Sequence, residues 1–145
     1  MSYDLIAFDP TEAPADRLEF LDWIQRAFRS TDGNTNADIA TLSLGLQAWH
    51  REMRERYPHD YDPHAWPPGT YSVSKHASYR FTKHAVRVSV AWDDTGPAFH
   101  RAKKAAMSCG LGLFEVSGAD GAVWMVSKRK RFEVVHSAER EAARG

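Results

Sequence analysis

The sequence predicts an α+β domain: a two-layer sandwich with a mixed β-sheet and helices packed on one of its faces, in the order β-α-α-β-β-α-β-β. Three observations lead there. Apolar residues recur at helical spacing in three segments, and alternate with polar ones at a period of two in several others. Turns rich in Pro, Gly, Asp and Asn separate these segments. The third observation is scale: 145 residues, 43% apolar and 26% charged, suit one ordinary globular core.

Tyr3 to Phe8 is a short apolar run and reads as the first strand, stopped by Pro10 and Pro14. From Asp16 to Arg29, the residues Phe20, Leu21, Ile24, Ala27 and Phe28 make one helical stripe. Ser30 to Asp38 is a polar turn, and Asp38 or Thr41 can cap a second helix over about Ile39 to Tyr57. Its apolar face is Leu42, Leu46, Trp49 and Met53, and Pro58 ends it. The period then changes to two. Tyr79 and Phe81 alternate with Arg80 and Thr82, and Val86, Val88, Val90 and Trp92 alternate with Arg87, Ser89 and Ala91. Thr82 to Ala85 joins these strands as a hairpin. Asp93, Asp94 and Thr95 offer caps, Pro97 suits a first helical turn, and Gly110 stops a third helix ending near Ser108. Leu111 to Val116 and Ala122 to Val126 close the fold as strands around a turn at Ala119–Asp120–Gly121. Residues 1–126 therefore read as one domain, and 127–145 as a charged extension. Within that extension Arg131 to Val135 can add an edge strand and Ser137 to Arg144 a short helix.

Nineteen basic and nineteen acidic residues cancel, which argues against a generally nucleic-acid-binding domain. The charge is uneven: Met1 to Asp62 carries six basic against twelve acidic residues, and Pro63 to Gly145 thirteen against seven. Either the N-terminal half presents an acidic face to a basic partner, or the halves neutralise each other on folding. The single Cys109 excludes an internal disulfide and a cysteine-built zinc cage, and suits a reducing cytosol. No apolar run approaches a membrane span, and the N-terminus has acidic residues where a secretory signal has basic ones. A cytoplasmic location is expected.

Motif searches remove most chemistry. Asp32, Asn34, Asn36 and Asp38 alternate like a calcium loop, but Ala37 and Ser43 stand where its glycine and bidentate glutamate belong. His50–Arg51–Glu52 has half of a zinc-deaminase signature without the cysteine pair, so His50 reads as a residue at the edge of the helix's apolar face. Phosphate loops, nucleophile elbows and zincin helices are absent, and no cofactor is expected. Cys109 reads as a small buried thiol. Lys128 to Arg131 (KRKR) is the one dense basic cluster, able to touch phosphate but more simply the solvated end of an apolar strand.

The segment RYPHDYDPHAWPPGTYS, Arg56 to Ser72, is the most distinctive. His59, Asp60, Asp62 and His64 can ligate a divalent ion and so support a metal-assisted hydrolase, but their spacing matches no common zinc pattern. Tyr57, Tyr61, Trp66 and Tyr71 offer large, rigid contact area of the kind binding surfaces favour. The same rings can equally fold down as a lid on the helices.

Three stretches taken in order, MSYDLIAFD at the start, SVAWDDTGPAF (Ser89 to Phe99) and CGLGLFEVS (Cys109 to Ser117), resemble a widespread family of small bacterial proteins that open M-S-Y-D-L. The resemblance covers most of Met1 to Met125; Leu113–Phe114–Glu115 departs from the family's usual F-F-D, and the residues from Ser127 on lie beyond its pattern. Relatives of that family look like immunity proteins of polymorphic-toxin or secreted-effector systems, and the resemblance brings no catalytic residues. It implies a cytosolic, non-enzymatic protein that occludes the active site of a toxin. Asp60, Tyr61, Asp62 and Trp66 are the expected anchors for a basic partner, with Glu52 and Glu55 as a rim. The alternatives are the metal-assisted hydrolase centred on His59 and His64, and nucleic-acid binding through residues 128–131.

Overall fold

The apolar run at the N-terminus becomes the middle of the sheet. In the computed structural model, which describes residues 2–29, 39–57 and 77–138, strand β1 (Ser2–Phe8) is followed by helices α1 (Arg17–Arg29) and α2 (Leu44–Arg56). Strands β2 (Ala77–Thr82) and β3 (Ala85–Ala91), helix α3 (Thr95–Cys109), and strands β4 (Gly112–Glu115), β5 (Val123–Val126) and β6 (Phe132–His136) complete the order. The α+β class and the predicted succession of elements hold, with β6 added at the end. The six strands lie in the order β2-β3-β1-β4-β5-β6.

Every neighbouring pair is antiparallel, so the sheet is not mixed. The helical crossovers do connect strands that run the same way, β1 to β2 and β3 to β4. In each case another strand lies between them: β3 separates β1 from β2, and β1 separates β3 from β4. A crossover that skips one position leaves no parallel neighbours.

Helices cover both faces rather than one, which makes three layers. Along β1 the side chains alternate. Tyr3, Leu5 and Ala7 pack with Leu46, Trp49 and Met53 of α2 and Ala98, Ala102 and Ala106 of α3. Ile6 and Phe8 face the other way, onto Phe20, Ile24 and Phe28 of α1. A strand buried on both faces needs a continuous apolar run, and Leu5–Ile6–Ala7–Phe8 is one. The Trp49 indole N–H donates to the Ala102 carbonyl at 3.1 Å and ties α2 to α3 inside the core.

Local signals explain most boundaries. Asp16 caps α1, its carboxylate accepting the Glu19 amide at 3.0 Å. The second helix begins later than predicted. Ile39–Thr41 is a separate 3-10 turn, and Ser43, not Asp38 or Thr41, accepts the Leu46 amide at 3.2 Å as the cap. The Ser43 hydroxyl also donates to Asp9 at 3.1 Å. Gly110 ends α3 in the left-handed region (φ 70°), as a helix stop requires. Gly112 is a close approach: a Cβ there would lie 2.2 Å from the Phe8 ring.

Three further expectations change. Trp92 does not continue the buried face of β3; it opens a 3-10 turn, is 46% exposed, and meets the Tyr3 ring edge-on. His50 is buried, edge-on to both Tyr79 and Phe81, rather than at the margin of the helix. The boundary expected after residue 126 falls inside a hairpin, because β6 pairs with β5 in the same sheet.

Candidate binding surface

Helices α2 and α3 do not reach the far edge of the sheet. On their side, β5 emerges with Trp124 and Val126, and β6 returns with Phe132 opposite Val126. The Trp124 ring touches Phe99 of α3 at 5.7 Å between centroids and lies nearly parallel to Phe132 at 6.3 Å. The Lys103 ammonium sits 4.3 Å from the Trp124 ring centroid, a cation–π contact. Beyond this cluster the apolar surface is open: Val126 is 59% exposed. Met107, one helical turn past Lys103 on the same flank, is 53% exposed. An exposed apolar side chain beside a half-buried aromatic cluster, as Val126 is, suits a contact surface.

The frame of this surface is positive. Lys128, Arg129, Lys130 and Arg131 form the β5–β6 turn, closed by Ser127 N–H to the Arg131 carbonyl (2.8 Å) and Lys130 N–H to the Ser127 carbonyl (2.9 Å). Lys130 has φ 60°, where a side chain is disfavoured and glycine or asparagine is usual. Glu133, the one acid of β6, pairs with Met125 and so points to the α1 side. Lys103 lies over the Trp124 ring, and the exposed turn cations adjoin Val126 and Phe132 in sequence, with Lys128 and Arg129 also lining a cleft with Met125, Glu133 and Val135 toward the α1 side.

The residues expected to bind a partner fare differently. Glu52 and Glu55 lie on the outer side of α2 and both meet Arg101 of α3, at 3.6 and 3.4 Å. Arg101 also donates to the Glu52 carbonyl at 2.9 Å. Asp4 pairs with Arg87 at 2.5 Å, and Asp9 and Glu12 lie 3.6 and 4.0 Å from the His84 ring. At these points acids of the N-terminal half meet bases of the C-terminal half; on α2, Glu52 and Glu55 share the single guanidinium of Arg101 and both stay more than half exposed. Asp60, Tyr61, Asp62 and Trp66, with His59 and His64 of the hydrolase alternative, lie outside the described residues.

Other reactive groups are held quiet. The Tyr3 hydroxyl donates to the Glu115 carboxylate, and burial first, then this contact, holds the phenol well above its ordinary pKa. Burial, with Glu52 nearby, raises the Cys109 thiol, the opposite of an activated nucleophile. Among the described residues no group of three or more His, Cys, Asp or Glu side chains is placed to hold a metal ion. No described helix is long and apolar enough to cross a membrane.

Sequence reasoning singled out the basic cluster and the neighbouring Phe132 but missed Lys103, Met107, Trp124 and Val126. The signal lies in the register: the hairpin sets Val126 opposite Phe132, which no spacing along the chain shows. No protein-family model, no curated protein and no solved structure matches the chain.

Proposed function

We propose that this chain is a non-enzymatic, cytoplasmic binding protein of the immunity type, which silences a bacterial toxin or effector by covering its active site. The observation that supports binding is the exposure of Met107 and Val126, the latter opposite half-buried Phe132 and next to the basic β5–β6 turn. The three sequence stretches that resemble the M-S-Y-D-L family support the immunity assignment. The contact surface favours a partner with an apolar centre and an acidic rim, because opposite potentials speed encounter and fix orientation. A stable complex of this kind buries roughly 1,600 Å² in total, so more than this patch takes part. Asp60, Tyr61, Asp62 and Trp66 remain candidate anchors. Co-expression with the product of the neighbouring gene tests the proposal: joint purification and rescued growth are expected, and absence of both removes it for that pair.

One observation favours a second reading, single-stranded nucleic acid. Trp124 and Phe132 lie nearly parallel on adjacent strands beside four basic residues, and stacked bases use such platforms. Against it, Lys103 already occupies one face of the indole, and the most exposed members of the surface, Val126 and Met107, are aliphatic or thioether side chains with no ring to stack on.

A further inference from the structure

The opposite face of the sheet carries a second, independent feature. Strands β2 and β3 bring Arg80 directly opposite Arg87 on the α1 side. Like charges at opposed positions are unfavourable. Among the described residues one carboxylate answers them, Asp4, at 2.5 Å from Arg87. Arg80 uses one of its N–H donors on the Phe28 carbonyl at the end of α1, at 3.0 Å, which fixes its guanidinium and leaves its other donors available. Arg29, at the last position of α1, meets Gln25 at 3.4 Å and has no carboxylate partner among the described residues.

These three arginines line a cleft of about 310 Å³ between α1 and the sheet. Its remaining lining is largely apolar, with Ile6, Phe28 and Phe114 among the contributors. The volume lies at the small end of ligand sites, and the combination of an apolar floor with a few convergent polar groups is their usual chemistry. Guanidinium groups bind carboxylate and phosphate through paired N–H donors.

We infer that the cleft binds a small organic anion, a carboxylate or phosphate monoester with a compact apolar body. The head lies between Arg80 and Arg87, within reach of Arg29, and the body lies on Ile6, Phe28 and Phe114. Asp4 competes with the ligand for Arg87. Nothing in this inference depends on the partner surface at β5–β6.

Titration calorimetry of the full chain with phenyl phosphate, inorganic phosphate and benzyl alcohol tests it, with chemical-shift mapping to locate the site. Saturable binding of phenyl phosphate is expected, at least tenfold tighter than either inorganic phosphate or benzyl alcohol. Arg80→Gln and Arg87→Gln should each weaken it about tenfold, the scale of one lost charge-assisted contact. Asp4→Asn should tighten it several-fold, a gain that general destabilisation does not produce. Thermal unfolding of each variant confirms that it is folded. No saturable binding at 10 mM phenyl phosphate (roughly the weakest affinity a specific site of this size would show) overturns the inference. So does binding that is indifferent to Arg80→Gln and Asp4→Asn, or equal binding of inorganic phosphate.

Discussion

The ammonium of Lys103 lies 4.3 Å from the centre of the Trp124 indole and covers one face of it. The contact joins α3 to the outermost strands, where the sheet extends past its helices. Trp124→Ala should destabilise the fold by about 2–4 kcal/mol, somewhat below the range for a fully buried ring. Lys103→Gln, which removes only the cation, should cost about 0.5–1 kcal/mol. Urea unfolding of both variants measures the difference.

The backbone of Lys130 makes a second, opposite prediction. A lysine at φ 60° is held where glycine is at ease. Lys130→Gly should raise stability by about 1 kcal/mol. If the cationic frame contacts an acidic partner, the same change should also slow association at low salt. Stability and association rate moving in opposite directions would show that the strained lysine serves binding.

Ser43 holds two partners at once, capping Leu46 and donating to Asp9. Ser43→Ala should cost about 1–2 kcal/mol, and Ser43→Asp should recover less than an isolated cap would, since it places a second carboxylate beside Asp9. Thermal unfolding distinguishes them.

Asp4 gives a prediction in pH. Burial alone would raise its pKa, but the hydroxyl of Ser89 and the ion pair with Arg87 outweigh burial and hold it below the ordinary value of 3.8. A carboxyl depressed in the folded state adds stability above its unfolded pKa and loses it as pH falls through its folded pKa. The stability gap between the parent and Asp4→Asn should therefore be full at pH 6 and shrink progressively below about pH 4. Urea midpoints across this range check it; a constant gap would mean that the depression does not act on stability.

Much of the architecture was legible because local rules acted without competition. The α1 stripe, the Gly110 stop and the Lys83–His84 hairpin all follow from residue type and spacing, and all occur. Strand order did not follow, because the insertion of β1 between β3 and β4 is a long-range choice with no local marker. Burial on both faces was written in Leu5–Ile6–Ala7–Phe8, but a short apolar run is also what a one-sided strand beside a helix can show. The edge strand expected at Arg131 to Val135 occurs as Phe132–His136, but the charged residues around it gave no sign that it belongs to the same sheet as β5.

The candidate surfaces were less legible. Glu52 and Glu55 were readable as exposed helix positions, yet the base they share, Arg101, lies on another element and no spacing shows the contact. Arg80 and Arg87 stood in plain view as the polar members of two alternating strands, and only the register places them opposite one another.

The nucleic-acid reading has its own test. A fluorescent 12-nucleotide single strand, about the span of one such site, should show no saturable binding at 150 mM salt if the β5–β6 face serves a protein. Binding lost on replacing Phe132 and Arg129 by alanine would favour nucleic acid instead.

Whether the Val126 face engages a protein partner is measured most directly by the affinity of the purified chain for the product of the neighbouring gene, before and after Val126→Asp. Val126 is largely exposed, so the substitution should leave the melting temperature nearly unchanged while placing a carboxylate in the apolar centre of the contact. The expected result is a complex that weakens at least tenfold (about 1.4 kcal/mol) and loses growth rescue. A complex of undiminished affinity, with rescue intact, would contradict it.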